Sequence, residues 1–370
     1  MVMLLRKRRL DYVLLGAIII LSLIGLLMVY SASNVVAQAK YGNPFYFFLR
    51  QLFFLIIGYL LMLFIVNVNI IKYQNYVVTV FLICFALLIL VLIPGIGKTR
   101  GGARSWIGVG SFSIQPSEFM KLGLAGIYAK YLGEYYQDLK KLKNFLLLFS
   151  LAVVVFLIIM LQPDFGTALV IVLSAGLMIY LAGVPLKHFI VIIAIGLVGA
   201  AFLILTAPYR VERILAFINP WEDPLGSGFQ GIQSLFAITP GGFFGHGFNK
   251  SMQKHFFLPE PQNDFIFAIL LEEFGLIGGA VVLFLYFLII YRSFLIALAV
   301  EDNFLRFLVL GIAVSLAVQV AVNVCVVIGL LPVTGITLPL FSYGGSSLVL
   351  TLVSLGIIVS ASRYRNYDFD

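Results

Sequence analysis

Charged residues are scarce in this sequence: they make up 11% of its 370 residues, whereas 62% are hydrophobic. A soluble domain of this size has to cover its surface with polar side chains, so the shortage of charge excludes an ordinary soluble protein. Cysteine is scarce as well, and Cys84 and Cys325 each lie within an apolar run. We interpret both as packing residues that indicate nothing about the redox compartment.

Several familiar catalytic patterns are also missing. The sequence has neither a G-x-S-x-G elbow nor a Walker loop, and His188, His246 and His255 are too dispersed to form a metal site. The formal net charge is +8, but no long basic stripe has room outside the lipid, so nucleic acid is not a predicted partner. The composition is typical of a multi-pass membrane protein in which residues 1–370 form a single bundle.

The apolar runs predict an all-α bundle with ten membrane spans, because about 20 apolar residues are needed to cross the hydrocarbon. The spans are centred near residues 21, 57, 85, 125, 153, 175, 197, 277, 317 and 354. The fourth, sixth and tenth are short or interrupted. The first run, from about Tyr12 to Tyr30, is too long for a signal-peptide core, so we interpret it as a retained span.

Positive charge predicts the orientation of the bundle. Ten spans place both termini in the cytoplasm, and the inner loops then carry many of the basic residues, as the positive-inside rule requires. These residues are Lys72, Lys130, Lys140, Lys141, Lys143, Lys187, Arg292, Arg306, Arg363 and Arg365.

The outer segments carry cations too, which works against this topology. They are Lys98, Arg100, Arg104, Arg210, Arg213, Lys250 and Lys254. Two interpretations are open: these side chains bind an anionic ligand such as a phosphate, or they snorkel to lipid headgroups. Most of them flank or lie within the long connection at about residues 208–263. This connection is rich in Gly, Pro and Asp and holds several aromatic residues, so we expect a folded loop over the outer surface.

Charged side chains at membrane depth are costly, so each is a candidate functional group. Glu118 and Lys121 are three residues apart and lie on one face of a helix. Ser117 is a candidate cap for that helix. The pair is either a self-neutralising ion pair that eases insertion or a polar site facing a cavity near Arg104.

Asp264 stands directly before the eighth apolar run, after two prolines that cannot continue a helix backwards. We favour a helix N-cap at this position, and a general base at the outer water boundary is the alternative. Glu272 and Glu273 lie roughly 12 to 14 Å further along the predicted helix, and neighbouring residues point about 100° apart. One of these two is expected to bond to another helix in a structural or gating role. For Asp164 we favour a helix cap.

Five phrases of the sequence together resemble the SEDS family (shape, elongation, division and sporulation), which includes FtsW, RodA and SpoVE. They occur in the family's order and resemble the FtsW and SpoVE branch more than RodA. The phrases are RSWIGVGSFSIQPSEFMKL (104–122), QPDFGT (162–167), NPWEDPLGSGFQGIQS (219–234), LPEPQNDFIFAILLEEFG (258–275) and LPVTGITLPLFSYGGSS (331–347).

The resemblance implies a ten-span helical bundle with a large extracellular loop between spans seven and eight. It also implies a peptidoglycan glycosyltransferase that polymerises lipid II, a disaccharide-pentapeptide on undecaprenyl diphosphate. A class B penicillin-binding protein would be the partner that supplies the transpeptidase. Other membrane proteins of the divisome or elongasome are further implied partners. The family's essential aspartate matches Asp264, and Glu260 is retained before it. Asn263 and Gln262 stand where the family often has Thr and His, and we judge both departures mild.

The resemblance further implies roles for other residues. Asp264 is expected to be the general base of an inverting transfer at the outer face of the membrane. Arg104, Arg210, Arg213 and Lys121 are candidates to stabilise the leaving diphosphate, with Mg²⁺ or Mn²⁺ as an implied cofactor. Glu118 would orient Lys121 or coordinate that cation. Glu260 is a candidate substrate contact. Ser342 and Tyr343, in an irregular outer segment before the tenth span, are two more.

Two alternatives to the polymerase stay open at this point. A lipid II flippase would need a polar path through to the cytoplasmic side, and a non-catalytic scaffold would recruit a penicillin-binding protein without needing Asp264. The sequence does not distinguish division at the septum, which we favour, from elongation or sporulation.

Overall fold

The computed structural model describes residues 10–100, 102–109, 112–205, 211 and 215–365. Helices dominate this part of the chain. They are α1 (Tyr12–Tyr41), α2 (Tyr46–Asn67), α3 (Val77–Leu90), α4 (Pro116–Tyr135), α5 (Leu142–Met160), α6 (Phe165–Leu181), α7 (Leu186–Leu205), α8 (Phe229–Gly241), α9 (Ile266–Ala299), α10 (Asn303–Val327) and α11 (Gly345–Ala361). A small antiparallel sheet lies between α3 and α4, in the order β1 (Gly97–Arg100), β2 (Ala103–Val109), β3 (Phe112–Ile114).

Six of the described helices are long and apolar enough to cross a membrane: α1, α2, α5, α9, α10, and α11 with its short extension to Tyr364. Helices α3 and α6 are apolar but shorter. The chain is therefore a multi-pass membrane protein. The larger number of ten spans stays a prediction, since helix α4 carries four charged residues along its 20 and α3 is only 14 residues long.

Helix α10 lies at the centre of the bundle. It packs against α4, α9, α6 and α11, and most of its residues are buried. Helices α2 and α11 form another close pair, in which Gly58 faces the side chain of Leu352 and Gly356 faces Met62. Small residues let helix backbones approach in a membrane, where van der Waals packing rather than water drives association.

One end of the bundle is tied together by Asp11, and we call it the terminal pole. The carboxylate of Asp11 caps α1 by accepting from the Leu14 amide at 2.9 Å. It also accepts from Arg292 of α9 at 2.6 Å and from Arg365 at 3.3 Å. Because Asp11 is buried, these two cations compensate its charge, and the start of α1 is held next to Arg365 at the same pole.

The opposite end, which carries Glu273, Asp264 and Asn323, is called the site pole. Ser31 of α1 donates to both carboxylate oxygens of Glu273, at 2.6 and 2.7 Å. Ser31 is 20 residues after Asp11, so it lies roughly 30 Å from the terminal pole at 1.5 Å per residue. That length matches the thickness of the hydrocarbon core. The site pole therefore lies at a membrane boundary.

Helix α9 is broken at Gly275, whose φ of 62° and ψ of −164° interrupt the helical ladder. The amides of Leu276 and Ile277 donate instead to the carbonyls of Gly242 and Phe243, at 2.9 and 3.2 Å. A side chain at Gly275 would meet the carbonyl of Phe243 and would disfavour this φ. The break thus divides α9 into a short part at the site pole and a long apolar part that crosses the membrane.

The break corrects the expectation that Glu272 and Glu273 lie at membrane depth. Both are buried at the site pole, where they hold the preceding loop. Glu272 accepts from the Met252 amide at 2.7 Å, and Glu273 pairs with Lys254 at 3.6 Å as well as with Ser31. The expected bond to a neighbouring helix is confirmed for Glu273, and the role of both carboxylates is structural.

The structure describes the connection before α9 over residues 215–265. Helix α8 packs on α9 and on the end of α10, where Ser234 donates its hydroxyl to the Val327 carbonyl at 2.8 Å. The connection is therefore seated on the site pole, while residues 206–210 and 212–214 lie outside the described part.

Candidate functional site

Asp264 lies in the turn just before α9. The first residue of that helix is Ile266, its N-cap is Phe265, and no side chain caps it. The favoured prediction that Asp264 is an N-cap is therefore wrong, because the helix begins later than the apolar run suggests. Instead, the backbone carbonyl of Asp264 accepts a hydrogen bond from Asn323 Nδ2 of α10 at 2.8 Å, which leaves the carboxyl group for other partners.

The surroundings of Asp264 raise the pKa of its carboxyl to about 7. Desolvation by burial is the main cause, and the negative charge of Glu260 adds to it. Glu260 itself is exposed, has a positive φ of 43°, and accepts from Asn263 Nδ2 at 2.6 Å. A carboxyl with a pKa near neutrality is suited to accept and release a proton.

The second part of the site is the ion pair of Glu118 and Lys121 near the start of α4. Lys121 Nζ lies 2.8 Å from Glu118 Oε2, so the prediction that the two share a helix face is confirmed. Lys121 Nζ also donates to Gln319 Oε1 of α10 at 2.6 Å. Ser117, the candidate cap, does not cap α4. The N-cap position belongs to Gln115, and the Ser117 hydroxyl is buried without a hydrogen-bond partner among the described residues.

The irregular segment at residues 328–344 joins the two parts. Its second half, residues 336–342, is mostly buried, and the segment has no helix or strand, which is tolerated at membrane depth only if its backbone groups find partners. Gln319 Nε2 donates to the Thr337 carbonyl at 3.0 Å. Asn323 Nδ2 donates to the Ile336 carbonyl at 2.7 Å. Two neighbouring carbonyls of the segment are thus held by one edge of α10.

Other buried polar side chains serve the same segment. Tyr286 donates its hydroxyl to the Pro339 carbonyl, and Gln51 of α2 donates to the Ser342 carbonyl at 3.0 Å. Sequence reasoning missed these residues together with Gln319 and Asn323. The sequence does contain a signal for them, because neutral polar side chains inside apolar runs also need hydrogen-bond partners in a membrane. Only the charged residues in these runs were considered as candidates.

The two predicted substrate contacts in this segment have structural partners. The Ser342 hydroxyl accepts from the Leu338 amide at 2.8 Å, which stabilises the turn. The Tyr343 ring lies edge-on to Phe47 of α2, with centroids 4.9 Å apart, and its amide donates to the Gln262 carbonyl at 2.8 Å. The segment is therefore tied directly to the turn that carries Asp264.

The predicted outer cations are placed only in part. Arg104 lies on β2 with an exposed side chain, and its amide donates to the Gln162 carbonyl at 3.1 Å. This bond joins the sheet to the turn before α6. Arg210 and Arg213 lie outside the described residues.

Asp164 occupies the turn before α6, next to the Glu118–Lys121 pair. Its carboxylate accepts from the Thr167 amide at 3.1 Å, so the predicted helix cap is confirmed. It also accepts from Gln115 Nε2 at 3.1 Å. Burial raises the pKa of Asp164, and the nearby charge of Glu118 raises it further.

A groove of about 660 Å³ runs beside the ion pair. It lies between α2, α11, the small sheet and Phe119 of α4, and its lining is almost entirely apolar. The lining residues are Phe54, Ile57, Leu61, Ile107, Gly108, Ser113, Ile114, Phe119, Gly345, Ser346, Val349, Leu350 and Val353. Leu350 also lines a small cavity of about 50 Å³ next to Glu118, Lys121 and Gln319. The apolar groove and the small cavity beside the ion pair thus share Leu350 in their linings.

The described residues do not provide an evident site for a resident metal ion. No group of three His, Cys, Asp or Glu side chains among them is close enough together to hold one. Glu118 already pairs with Lys121, and Glu260 accepts from Asn263. The donor set therefore does not fit a divalent cation held by this part of the protein alone.

Taken together, the fold and the site define a multi-pass membrane protein with a carboxyl group and an ion pair at one membrane boundary, beside an apolar groove. The family model of the FtsW, RodA and SpoVE proteins, described as cell cycle proteins, matches residues 12–367. The chain belongs to this family.

Individual relatives agree with this assignment. The stage V sporulation protein E of Bacillus subtilis (strain 168) is 50% identical over 98% of this chain and 99% of its own length. The probable peptidoglycan glycosyltransferase FtsW of Geobacter sp. (strain M18) is 42% identical over 95% of this chain and 96% of its own length.

Two solved structures share the fold. One belongs to a peptidoglycan synthase complex that coordinates polymerization and crosslinking; it is 32% identical, with a TM-score of 0.74 over 96% of this chain and 99% of the other. The other is the rod shape determining protein RodA of Thermus thermophilus, which is 29% identical with a TM-score of 0.70 over 97% of this chain and 98% of the other.

Proposed function

We propose that this protein is a peptidoglycan glycosyltransferase that polymerises lipid II at the outer face of the cytoplasmic membrane. The observation that carries the proposal is the partly buried carboxyl of Asp264, with its pKa of about 7, at the pole where the Glu118–Lys121 pair meets an apolar groove. Relatives over nearly the whole chain are named probable peptidoglycan glycosyltransferases, which supports the same activity.

The shape of the site suits an amphiphilic substrate. The apolar groove takes the undecaprenyl chain, while the diphosphate and sugars stay at the site pole, in contact with water. Arg50 lies one helical turn before Phe54 on α2, on the face that lines the groove and toward the site pole. Its guanidinium donates to the Tyr46 hydroxyl at 2.7 Å. We assign Arg50 as a further cation for the diphosphate, because guanidinium groups bind phosphate oxygens well.

The chemistry assigned to Asp264 is general base catalysis. Its carboxylate accepts the proton from the 4-hydroxyl of the acceptor's terminal GlcNAc, and that oxygen attacks C1 of the donor MurNAc. The bond from C1 to the undecaprenyl diphosphate breaks, the diphosphate leaves with the electron pair, and the α linkage becomes β. Base catalysis of this kind contributes about 10²- to 10⁴-fold to the rate.

The leaving diphosphate needs cations where its charge develops. Lys121, which lines the small cavity next to the groove, provides one, with Arg104, Arg210 and Arg213 as further candidates. Glu118 holds the ammonium group of Lys121 in place at 2.8 Å. The family also implies Mg²⁺ or Mn²⁺. Since the described residues do not form a set of ligands for such an ion, no step is assigned to it.

In the cell, this reaction requires that the site pole faces outwards and that both termini lie in the cytoplasm. The polymer then has to be crosslinked, and a class B penicillin-binding protein is the proposed partner. The similarity to a chain from a peptidoglycan synthase complex supports an assembly of this kind. We propose the division septum as the location, with elongation and sporulation as the other settings of the family.

The proposal is tested with purified full-length protein, reconstituted in vesicles and supplied with lipid II, with and without the transpeptidase. We expect glycan strands, detected by gel after transfer of a labelled substrate. Movement of lipid II across the membrane without polymer would support a flippase instead. Absence of both polymerisation and movement would support a non-catalytic scaffold.

The pH dependence of the reaction gives a second test. The base works only when it is deprotonated, so we expect the rate to rise with pH and to reach half its limit near pH 7, since burial raises the pKa of Asp264 to about 7. An unperturbed carboxylate would place this midpoint near pH 4. Initial rates of polymerisation between pH 5 and 9 decide between the two, and a flat profile above pH 5 would contradict the assignment.

A further inference from the structure

We infer that Asn323 and Gln319 are positioning residues, which use one edge of α10 to set the location of Asp264 relative to Lys121. The inference rests on the proposed function, because it concerns the geometry of that reaction. It assigns a role to two uncharged side chains that lie inside an apolar helix and contact neither sugar nor diphosphate in the proposed reaction.

The first observation is the pair of carbonyls that Asn323 holds. Its side chain is 1% exposed, and its Nδ2 group donates to the Asp264 carbonyl at 2.8 Å and to the Ile336 carbonyl at 2.7 Å. These two carbonyls belong to segments separated by more than 70 residues of sequence, of which α9 and α10 form the greater part. A single amide group thus fixes the turn that carries the proposed base.

The second observation is that Gln319 holds the cation. Its Oε1 accepts from Lys121 Nζ at 2.6 Å, while its Nε2 donates to the Thr337 carbonyl at 3.0 Å. Gln319 and Asn323 are four residues apart, so they lie on one face of α10 with an axial offset of roughly 6 Å. Because Ile336 and Thr337 are neighbours, Asn323 and Gln319 tie the Asp264 turn and the Lys121 ammonium group to the same short piece of backbone.

Loss of either amide has a geometric consequence. Without Asn323, the carbonyls of Asp264 and Ile336 lose a donor in a place that water reaches poorly, and the turn before α9 has to move to find new partners. A displacement of about 1 Å at a reacting group lowers a rate by about 10²-fold. Because Asn323 holds the base and not the substrate, the loss is expected in kcat, with little change in KM.

The experiment compares Asn323→Leu with wild type and with Ser234→Ala. Ser234 is a matched control, since it is buried and also donates a side-chain hydrogen bond at the same end of α10, to Val327 at 2.8 Å, without contacting Asp264 or Lys121. We expect kcat to fall about 10²-fold for Asn323→Leu with KM within about 3-fold, and both constants to stay within about 2-fold for Ser234→Ala.

A double variant of Asn323→Leu with Asp264→Glu distinguishes a positioning role of Asn323 from a purely structural one. Asp264→Glu keeps the carboxyl group but moves it by one methylene, so residual turnover stays measurable. If Asn323 acts by placing Asp264, the double variant loses clearly less activity than the product of the two single losses. Losses that simply multiply, or an Asn323→Leu enzyme that matches Ser234→Ala, would overturn the inference.

A second variant decides the matter if Asn323→Leu does not fold, as judged by its thermal midpoint in detergent. Gln319→Met is close in size and removes both hydrogen bonds of Gln319. It is expected to lower kcat about 10-fold or more, and this loss should become clearly smaller when Lys121 is already replaced by Arg, which keeps a cation and measurable turnover but changes its hydrogen-bonding geometry. Undiminished turnover by Gln319→Met would refute the inference. A wild-type protein that makes no glycan would instead refute the proposed function itself.

Discussion

Asp264→Asn is expected to lower the rate of lipid II polymerisation by about 10²- to 10⁴-fold, because the amide cannot accept the proton of the attacking hydroxyl. The fold should survive the change. The contact that holds this turn is made by the Asp264 backbone carbonyl with Asn323, and the substitution leaves it intact. Glycan formation from labelled lipid II measures the rate, and the thermal midpoint in detergent checks the fold.

Asp223→Asn is the matched control for this experiment. Asp223 is a carboxylate on the same connection, but it is exposed and accepts hydrogen bonds from Ser227 and Gly226. Its loss should leave polymerisation within about 2-fold of wild type, as for most surface substitutions. Full polymer yield from Asp264→Asn would remove this residue from the role of base, and another group would then have to accept the proton.

Lys121→Met is expected to affect both stability and activity. The Lys121 and Glu118 side chains are only 13% and 7% exposed, so removing the cation leaves a buried carboxylate without its partner. Breaking such a pair typically costs about 3–5 kcal/mol. We therefore expect a clearly lower thermal midpoint, together with loss of polymerisation because the leaving diphosphate is no longer stabilised.

The double variant Glu118→Gln with Lys121→Met separates these two effects. Both groups are then neutral, so most of the stability should return, since replacing a buried ion pair by uncharged residues is often nearly neutral. Activity should stay low, because the cation is still missing. Lys130→Met, nine residues further along the same helix, serves as control for loss of a lysine from α4. Wild-type rates from the double variant would contradict the role of Lys121.

The structure changes the interpretation of the LLEEFG stretch. The uninterrupted apolar pattern after Asp264 suggests a single membrane helix with two carboxylates in its interior. The break at Gly275 instead ends the short part of α9, and Glu272 and Glu273 turn to Met252, Ser31 and other groups of the site pole. Two costly charges therefore serve to hold the loop that precedes the proposed base, which explains their place next to an apolar run.

Local patterns in the sequence determined part of this protein. The scarcity of charge determined a multi-pass membrane bundle, and the three-residue spacing determined that Glu118 and Lys121 share a helix face. The helix cap at Asp164 also followed from neighbours in sequence, because its partner Thr167 is three residues away. The SEDS-like phrases indicated the family, and with it the aspartate to which the proposed chemistry is assigned.

The tertiary structure alone decided how the site is assembled. The bond from Asn323 to Asp264 joins residues 59 positions apart, the bond from Lys121 to Gln319 spans 198, and the bond from Ser31 to Glu273 spans 242. No helical or strand period relates such residues. Whether a polar side chain in an apolar run meets lipid, a neighbouring helix or a stretch of irregular backbone depends on which helices pack together. Only that packing decides which carboxylates hold the fold and which one is left for chemistry.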